Sequence, residues 1–241
     1  MISRAILLFL FFLTFNALAE QRKVYVVGVE DYPRYPFQYV IDGEYKGKFR
    51  EILDKFAKEK NISFKYKPLK IKNLYEELYS GEIDFKFPDN PVWRSPEKRQ
   101  YEIFYSDIFT NYIDGIFVRK ENIKKSFNQL NRFGVVDDII LWSISNRANH
   151  GTAELIYGQS CAELISKLKD NYIDAIFCNY DVMIYLLKNS RLKYEIRFNT
   201  DLPLIDNYIH LSTIKYPEVI KEFNLWVSKN REMIERNAHE N

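Results

Sequence analysis

The sequence predicts an α/β protein of two similar lobes, each a mostly parallel sheet flanked by helices. Two observations carry this. Short β-branched or alternating runs take turns with amphipathic stripes, a β-α-β-α-β order that argues for parallel strands covered by helices. A twelve-residue segment also recurs inside the chain: 78–89 aligns without gaps on 168–179, pairing Leu78 with Leu168, Ile83 with Ile173, Asp84 with Asp174 and Asp89 with Asn179. Both copies read as a helix end, a turn, a strand opening on Ile-Asp, and a polar residue at the strand's carboxyl end. In open α/β sheets that end is where ligands sit.

Taken in order, residues 1–4 carry one positive charge and 5–15 are almost wholly apolar. Ala17-Leu18-Ala19 then has the small-x-small form of a cleavage site. About a dozen apolar residues are too few to span a bilayer comfortably. The expectation is a cleaved signal peptide over 1–19 with no cysteine after it to carry a lipid, hence a secreted, periplasmic protein. Residues 24–29 (VYVVGV) read as a buried strand, followed by a loop punctuated by Pro33 and Pro36. Asp42-Gly43 marks a turn, and Phe49, Ile52, Leu53, Phe56 and Ala57 form the stripe of a helix packed on a sheet. A strand is expected at 62–66 and a short helix at 73–79. Ile83, Phe85 and Phe87 make a third strand, which proline is expected to stop by Pro88 because it cannot donate to a ladder.

Beyond it, 112–118 reads as a strand crossing between lobes and 133–136 as the first strand of the second lobe. The segment 138–149 is expected to be helical at first, with Trp142 packed. A helix over 162–169 carries a capping box from Ser160 and Glu163. Another helix follows at 182–187, a return crossing at 208–211, and a strong stripe of Val219, Ile220, Phe223, Trp226 and Val227 closes the first lobe. Residues after Arg236 have no apolar stripe and are expected to fray. The lobes are thus 20–112 with 207–241, and 113–206.

Composition excludes some roles. Lys+Arg 35 against Asp+Glu 33 leaves +2, which implies no bulk attraction to nucleic acid. Eighteen Tyr and eighteen Phe mostly mean core, with rings to spare for a cleft. There is no C-x-x-C, H-E-x-x-H or G-x-S-x-G, no Gly-rich phosphate loop, and the three histidines are scattered, so no metal or other cofactor is expected.

The stretch 87–107, FPDNPVWRSPEKRQYEIFYSD, resembles the signature of bacterial extracellular solute-binding proteins of the polar amino acid type (family 3). There a strand ending in Asp leads to a Ser/Thr-rich loop, an Arg, and then F-S-D. Arg99 with Phe104, Ser106 and Asp107 fits, with Tyr105 between the Phe and the Ser. The loop after the first strand is similar to the family's Y-P-P-F loop at the cleft. The resemblance implies the two-lobed periplasmic binding protein fold (type II), closing on a small polar, carboxylate-bearing solute. The implied partner is an ABC transporter's membrane subunits or a sensor, and the implied state is a monomer. It also implies that Arg99 holds a ligand carboxylate through its planar fork; Arg94 is the rival for that role, and an exposed Arg99 pairing with Glu97 or Glu102 is the plain alternative. Asp31, Tyr32, Arg34, Asp89, Trp93 and Asn179 complete the candidate contacts, each set against a packing or surface role, and Arg147 is expected at the surface.

Two departures stand out. The family's strand-end Asp, which takes a ligand ammonium, is Asn179 here, and its Gly-Ser/Thr donor pair is Asp137-Asp138. Cys161 and Cys178, the only cysteines, are brought near one another by a helix running back across the sheet; a disulfide and two separate thiols are both open. A sensory binding module and a small lyase or dehydratase on the same fold are the alternative functions.

Overall fold

The computed structural model describes residues 22–93, 95–136 and 141–239. The expected signal peptide, Arg94 and the Asp137-Asp138 pair lie outside the described residues. The first half runs β1 (Lys23–Glu30), the hairpin β2 (Tyr39–Ile41) and β3 (Glu44–Lys46), α1 (Lys48–Glu59), β4 (Ile62–Leu69), α2 (Ile71–Ser80), β5 (Phe85–Asp89), a single helical turn α3 (Ser95–Lys98) and β6 (Phe104–Tyr105). A long strand, β7 (Thr110–Arg119), leads into β8 (Arg132–Val136), α4 (Trp142–Asn149), β9 (Glu154–Gly158), α5 (Cys161–Lys169), β10 (Ala175–Asn179), α6 (Tyr180–Leu187) and β11 (Ile196–Phe198). The chain returns along β12 (Ile205–Thr213) and ends in α7 (Pro217–Lys229) and α8 (Arg231–His239). No helix among the described residues is long and apolar enough to cross a membrane.

The strands follow the order β4-β1-β5-β12-β7-β10-β8-β9. Each lobe therefore repeats one pattern. Three parallel strands (β4-β1-β5 in one, β9-β8-β10 in the other) are bordered by an antiparallel fourth, β12 or β7. β7 and β12 pair with each other between Thr110 and Asp114, which joins the lobes.

The internal repeat is a repeat of local chemistry. Gly81 and Asn171, equivalent in the alignment, both end their helices at positive φ (77° and 60°), where glycine and asparagine are tolerated. The next equivalent pair, Ile83 and Ile173, donates its N–H to Glu77 O and Lys167 O, both at 3.3 Å. Asp84 accepts from Val26 N at 2.8 Å and Asp174 from Arg132 N at 2.9 Å, pinning the start of β5 to β1 and of β10 to β8. Two residues along each neighbouring strand stands a glycine. A Cβ on Gly28 would fall 2.4 Å from Ile83 Cδ1 and 2.9 Å from Leu74; one on Gly134 would fall 2.6 Å from Ile173 Cδ1 and 3.0 Å from Leu164. In both lobes glycine lets the helix settle onto the sheet.

The stripe of α1 is buried as expected, and Phe49, Phe87 and Phe109 meet edge to face at 5.2–5.8 Å. Four expectations need correction. β5 does not stop at Pro88: it runs to Asp89, and a register shift in its pairing with β12 absorbs the missing donor. Trp142 is not packed; it opens α4 and is 76% exposed. Glu163 does not close a reciprocal box with Ser160, which does accept from Glu163 N; the Glu163 carboxylate accepts instead from Gln159 N. Helix α8 extends past Arg236 to His239, and Ile234 within it is buried.

Candidate functional site

Where the carboxyl ends of β1, β8 and β10 converge, a narrow cavity lies between the lobes. Tyr32 and Arg34 line it from the loop after β1, Asp114 from β7, and Phe177, Cys178 and Asn179 from β10. Its free space is about 20 Å3, room for a single water molecule. The loop that carries Arg34 is fixed by its own backbone, because Arg34 N donates to Gln38 O at 2.8 Å and Phe37 N to Arg34 O at 2.8 Å. Pro33 and Pro36 stiffen it further.

Arg34 is buried and its nitrogens are unequally served. Nη1 donates to the Tyr112 hydroxyl at 2.7 Å and Nη2 meets Glu30 Oε2 at 3.3 Å, while Nε is buried without a partner. Burial opposes its charge, but the Glu30 carboxylate, ahead of Tyr112 and Asp114, outweighs that, so the guanidinium stays a cation. Glu30 also accepts from Gln38 Nε2 at 3.0 Å. Asp114 is buried too, and accepts from Asn207 Nδ2 at 2.5 Å across the β7–β12 pairing. Burial pushes its carboxyl up to about 6, against the pull of the Arg34 charge and the Asn179 and Asn207 amides. Asn179 caps α6, its Oδ1 accepting from Val182 N at 3.1 Å, and it stands directly opposite Asp114 in the β10–β7 register.

No protein-family model matches the chain, and no curated protein matches it. Solved structures do. An amino acid ABC transporter substrate-binding protein, AbpA from Streptococcus pneumoniae, bound to L-arginine, is 18% identical over 90% of this chain and 92% of its own, with a TM-score of 0.65. The GluR0 ligand-binding core with L-glutamate gives a TM-score of 0.68 at 15% identity, covering 89% of this chain and 96% of its own. The ancestral amino acid-binding protein AncCDT-1, a precursor of cyclohexadienyl dehydratase, gives 0.64 at 19% identity, over 87% and 89%. The chain has the two-lobed periplasmic binding protein fold.

In this binding-protein fold, three of the residues singled out from sequence, Tyr32, Arg34 and Asn179, meet at the inter-lobe cavity. The other candidates lie elsewhere. Asp31 is exposed beside it. Asp89 is wholly buried inside the first lobe, and its carboxylate holds five donors. Oδ1 accepts from Tyr75 OH (2.9 Å), Lys98 Nζ (2.9 Å), Lys86 Nζ (3.3 Å) and Asn90 N (2.8 Å), and Oδ2 from Ser212 Oγ (2.7 Å). With five donors on a carboxylate that has no exposure, Asp89 anchors the lobe's interior. Burial works to raise its carboxyl, but Lys86 and Lys98, helped by Ser212, hold it below the usual carboxylate range. Trp93 packs over this cluster, its ring centre 5.6 Å from Lys86 Nζ.

Arg99 is exposed on the first lobe and lines a separate open cavity of about 250 Å3 with Lys98 and Tyr105. Ser106, from the F-S-D signature, is a clasp: its N–H donates to Leu211 O and its Oγ accepts from Leu211 N, tying the segment to β12. Arg147 tethers three carbonyls, Phe127, Leu130 and Thr152. Cys161 and Cys178 form a disulfide, in the cavity wall. Sequence reasoning missed Glu30, Tyr112, Asp114 and Asn207 as site residues. Asp114 did carry a signal: it is the lone acid of its strand, set between Ile113 and the apolar run Ile116–Val118.

Proposed function

We propose that this chain is a secreted solute-binding protein, a divergent member of extracellular solute-binding family 3, that closes two lobes on a small polar solute bearing a carboxylate. The observation that carries this is the inter-lobe cavity with a buried guanidinium whose Nε–H has no acceptor; a solute oxygen would supply one. The lobes are 20–112 with 207–241, and 113–206. The pairing of β7 with β12, the two strands that pass between them, supports a hinge there. The likeness to amino acid-binding proteins of ABC transporters supports delivery of the solute to such a transporter. A sensor reading the closed lobes would use the same geometry.

A thermal-shift screen of the protein against amino acids, small carboxylates, polyamines and sugars tests the reading. A ligand at a hundred times its Kd adds about 2.7 kcal/mol, which for a domain of this size raises Tm by about 5–10 °C. The shift is expected to vanish in Arg34→Ala and to survive in Arg99→Ala. The reverse pattern would move the site to the open cavity beside Arg99. Following the hit by NMR in the presence of protein separates binding from catalysis, since a dehydratase or lyase would consume it.

A further inference from the structure

We infer that Asp114 is the cation-accepting group of the inter-lobe cavity, so that the site selects solutes presenting a positively charged nitrogen. This rests on the binding role proposed above and goes further, because it assigns the residue that sets which charge is admitted. One carboxylate, Asp114, and one guanidinium, Arg34, line the cavity, and Glu30 is the carboxylate paired with Arg34. Glu30 is committed to Arg34 at 3.3 Å and to Gln38 at 3.0 Å. Asp114 has neutral direct partners: the Asn207 amide from β12 at 2.5 Å and the Asn179 amide from β10. The other charged or titratable groups that bear on it are Arg34 and Glu30, from the loop and end of β1, and Tyr112 on its own strand, itself hydrogen-bonded to Arg34.

A positively charged nitrogen entering the cavity would therefore pair with Asp114 without breaking an ion pair already made. Beside it, the unpartnered Arg34 Nε–H asks for an acceptor on the same solute. The register explains how the end of β10 can carry an amide. Asn179 and Asp114 are direct partners across β10 and β7, so the charge stands one strand over from the strand end.

A proton balance follows. Burial raises the Asp114 carboxyl to about 6, and pairing with a cation requires the carboxylate, so below that pH binding releases a proton to solvent. Affinity for a cation is then expected to fall about tenfold from pH 7.5 to pH 5.0.

Isothermal titration with putrescine, L-lysine and succinate, at both pH values, tests the inference on the wild type, Asp114→Asn and Asp114→Asn/Asn179→Asp. The expected result is that a cation binds the wild type with that pH dependence. Asp114→Asn, melting cooperatively, would lose at least about tenfold in affinity together with the pH dependence. The double variant would regain part of both, since a carboxylate returns to the facing position. A single variant that binds the cation as the wild type does would overturn the inference. So would a wild type that binds succinate and neither cation; if that binding is lost in Arg34→Ala, the binding role stands and only the assignment of Asp114 falls. Failure of all three compounds to bind would overturn the inference together with the reading it rests on.

Discussion

Replacing Asp89 with asparagine is expected to destabilise the protein by about 3–5 kcal/mol, the cost of leaving buried charge without its partner. Lys86 and Lys98 are 1% and 6% exposed, and Asp89 is the carboxylate that faces both. Their ammonium groups lie 4.6 and 5.0 Å from the Tyr75 ring centre, which offers some compensation but no counter-charge. With asparagine in place, two buried cations would face one neutral amide. Lys98→Met is the informative contrast, because it leaves Lys86 and Asp89 as a one-to-one pair and is expected to cost clearly less. The acid limb tests the same point. A carboxyl held below its ordinary value contributes stability that is present above pH 3.8 and lost as pH falls through its native pKa. Asp89→Asn should lack that portion of the acid unfolding. Urea midpoints at pH 7 and pH 3 measure both effects, and a loss under 1 kcal/mol at pH 7 would contradict this role for Asp89.

Removing the disulfide is the second large effect. Cys161 opens α5 and Cys178 is the penultimate residue of β10, with 17 residues of separation between them. Closing a loop of that size stabilises by about 3 kcal/mol, mainly by restricting the unfolded chain. The Cys161→Ala/Cys178→Ala variant is expected to melt about 6–12 °C lower than the oxidised protein. Alanine is the right replacement because both positions are buried and serine would bring hydroxyls that need partners. Reduced and alkylated wild type should shift in the same direction in urea. Equal midpoints for the oxidised protein and the double alanine variant would show that the bond carries no stability.

Much of the architecture was legible because it is written in local chemistry. The turns at Gly81 and Asn171 and the stripe of α1 depend on near neighbours in sequence, and the Ile-Asp openings of β5 and β10 were legible because they recur in the chain. Tyr32 and Arg34 became candidates through the resemblance of their loop to the family's cleft loop, and Asn179 through its place in the internal repeat. Asp114 and Asn207 did not, because their hydrogen bond joins residues 93 positions apart and exists only once β7 and β12 are in register. Lys98 and Arg99 show a different limit. They are adjacent at the end of a single helical turn, where one step rotates a side chain by about 100°. Sequence pattern favoured Arg99, whereas the fold turns Lys98 inward onto Asp89 and leaves Arg99 at the surface. Pro88 was read as a stop, yet an irregular ladder accommodates it inside a paired strand.

A crystal structure of the protein with the strongest hit from the thermal-shift screen would test the central claim most directly. The account predicts solute density between the lobes, with an acceptor atom within hydrogen-bond distance of Arg34 Nε. Density in the open cavity beside Arg99, with the space at Arg34 unchanged, would contradict it.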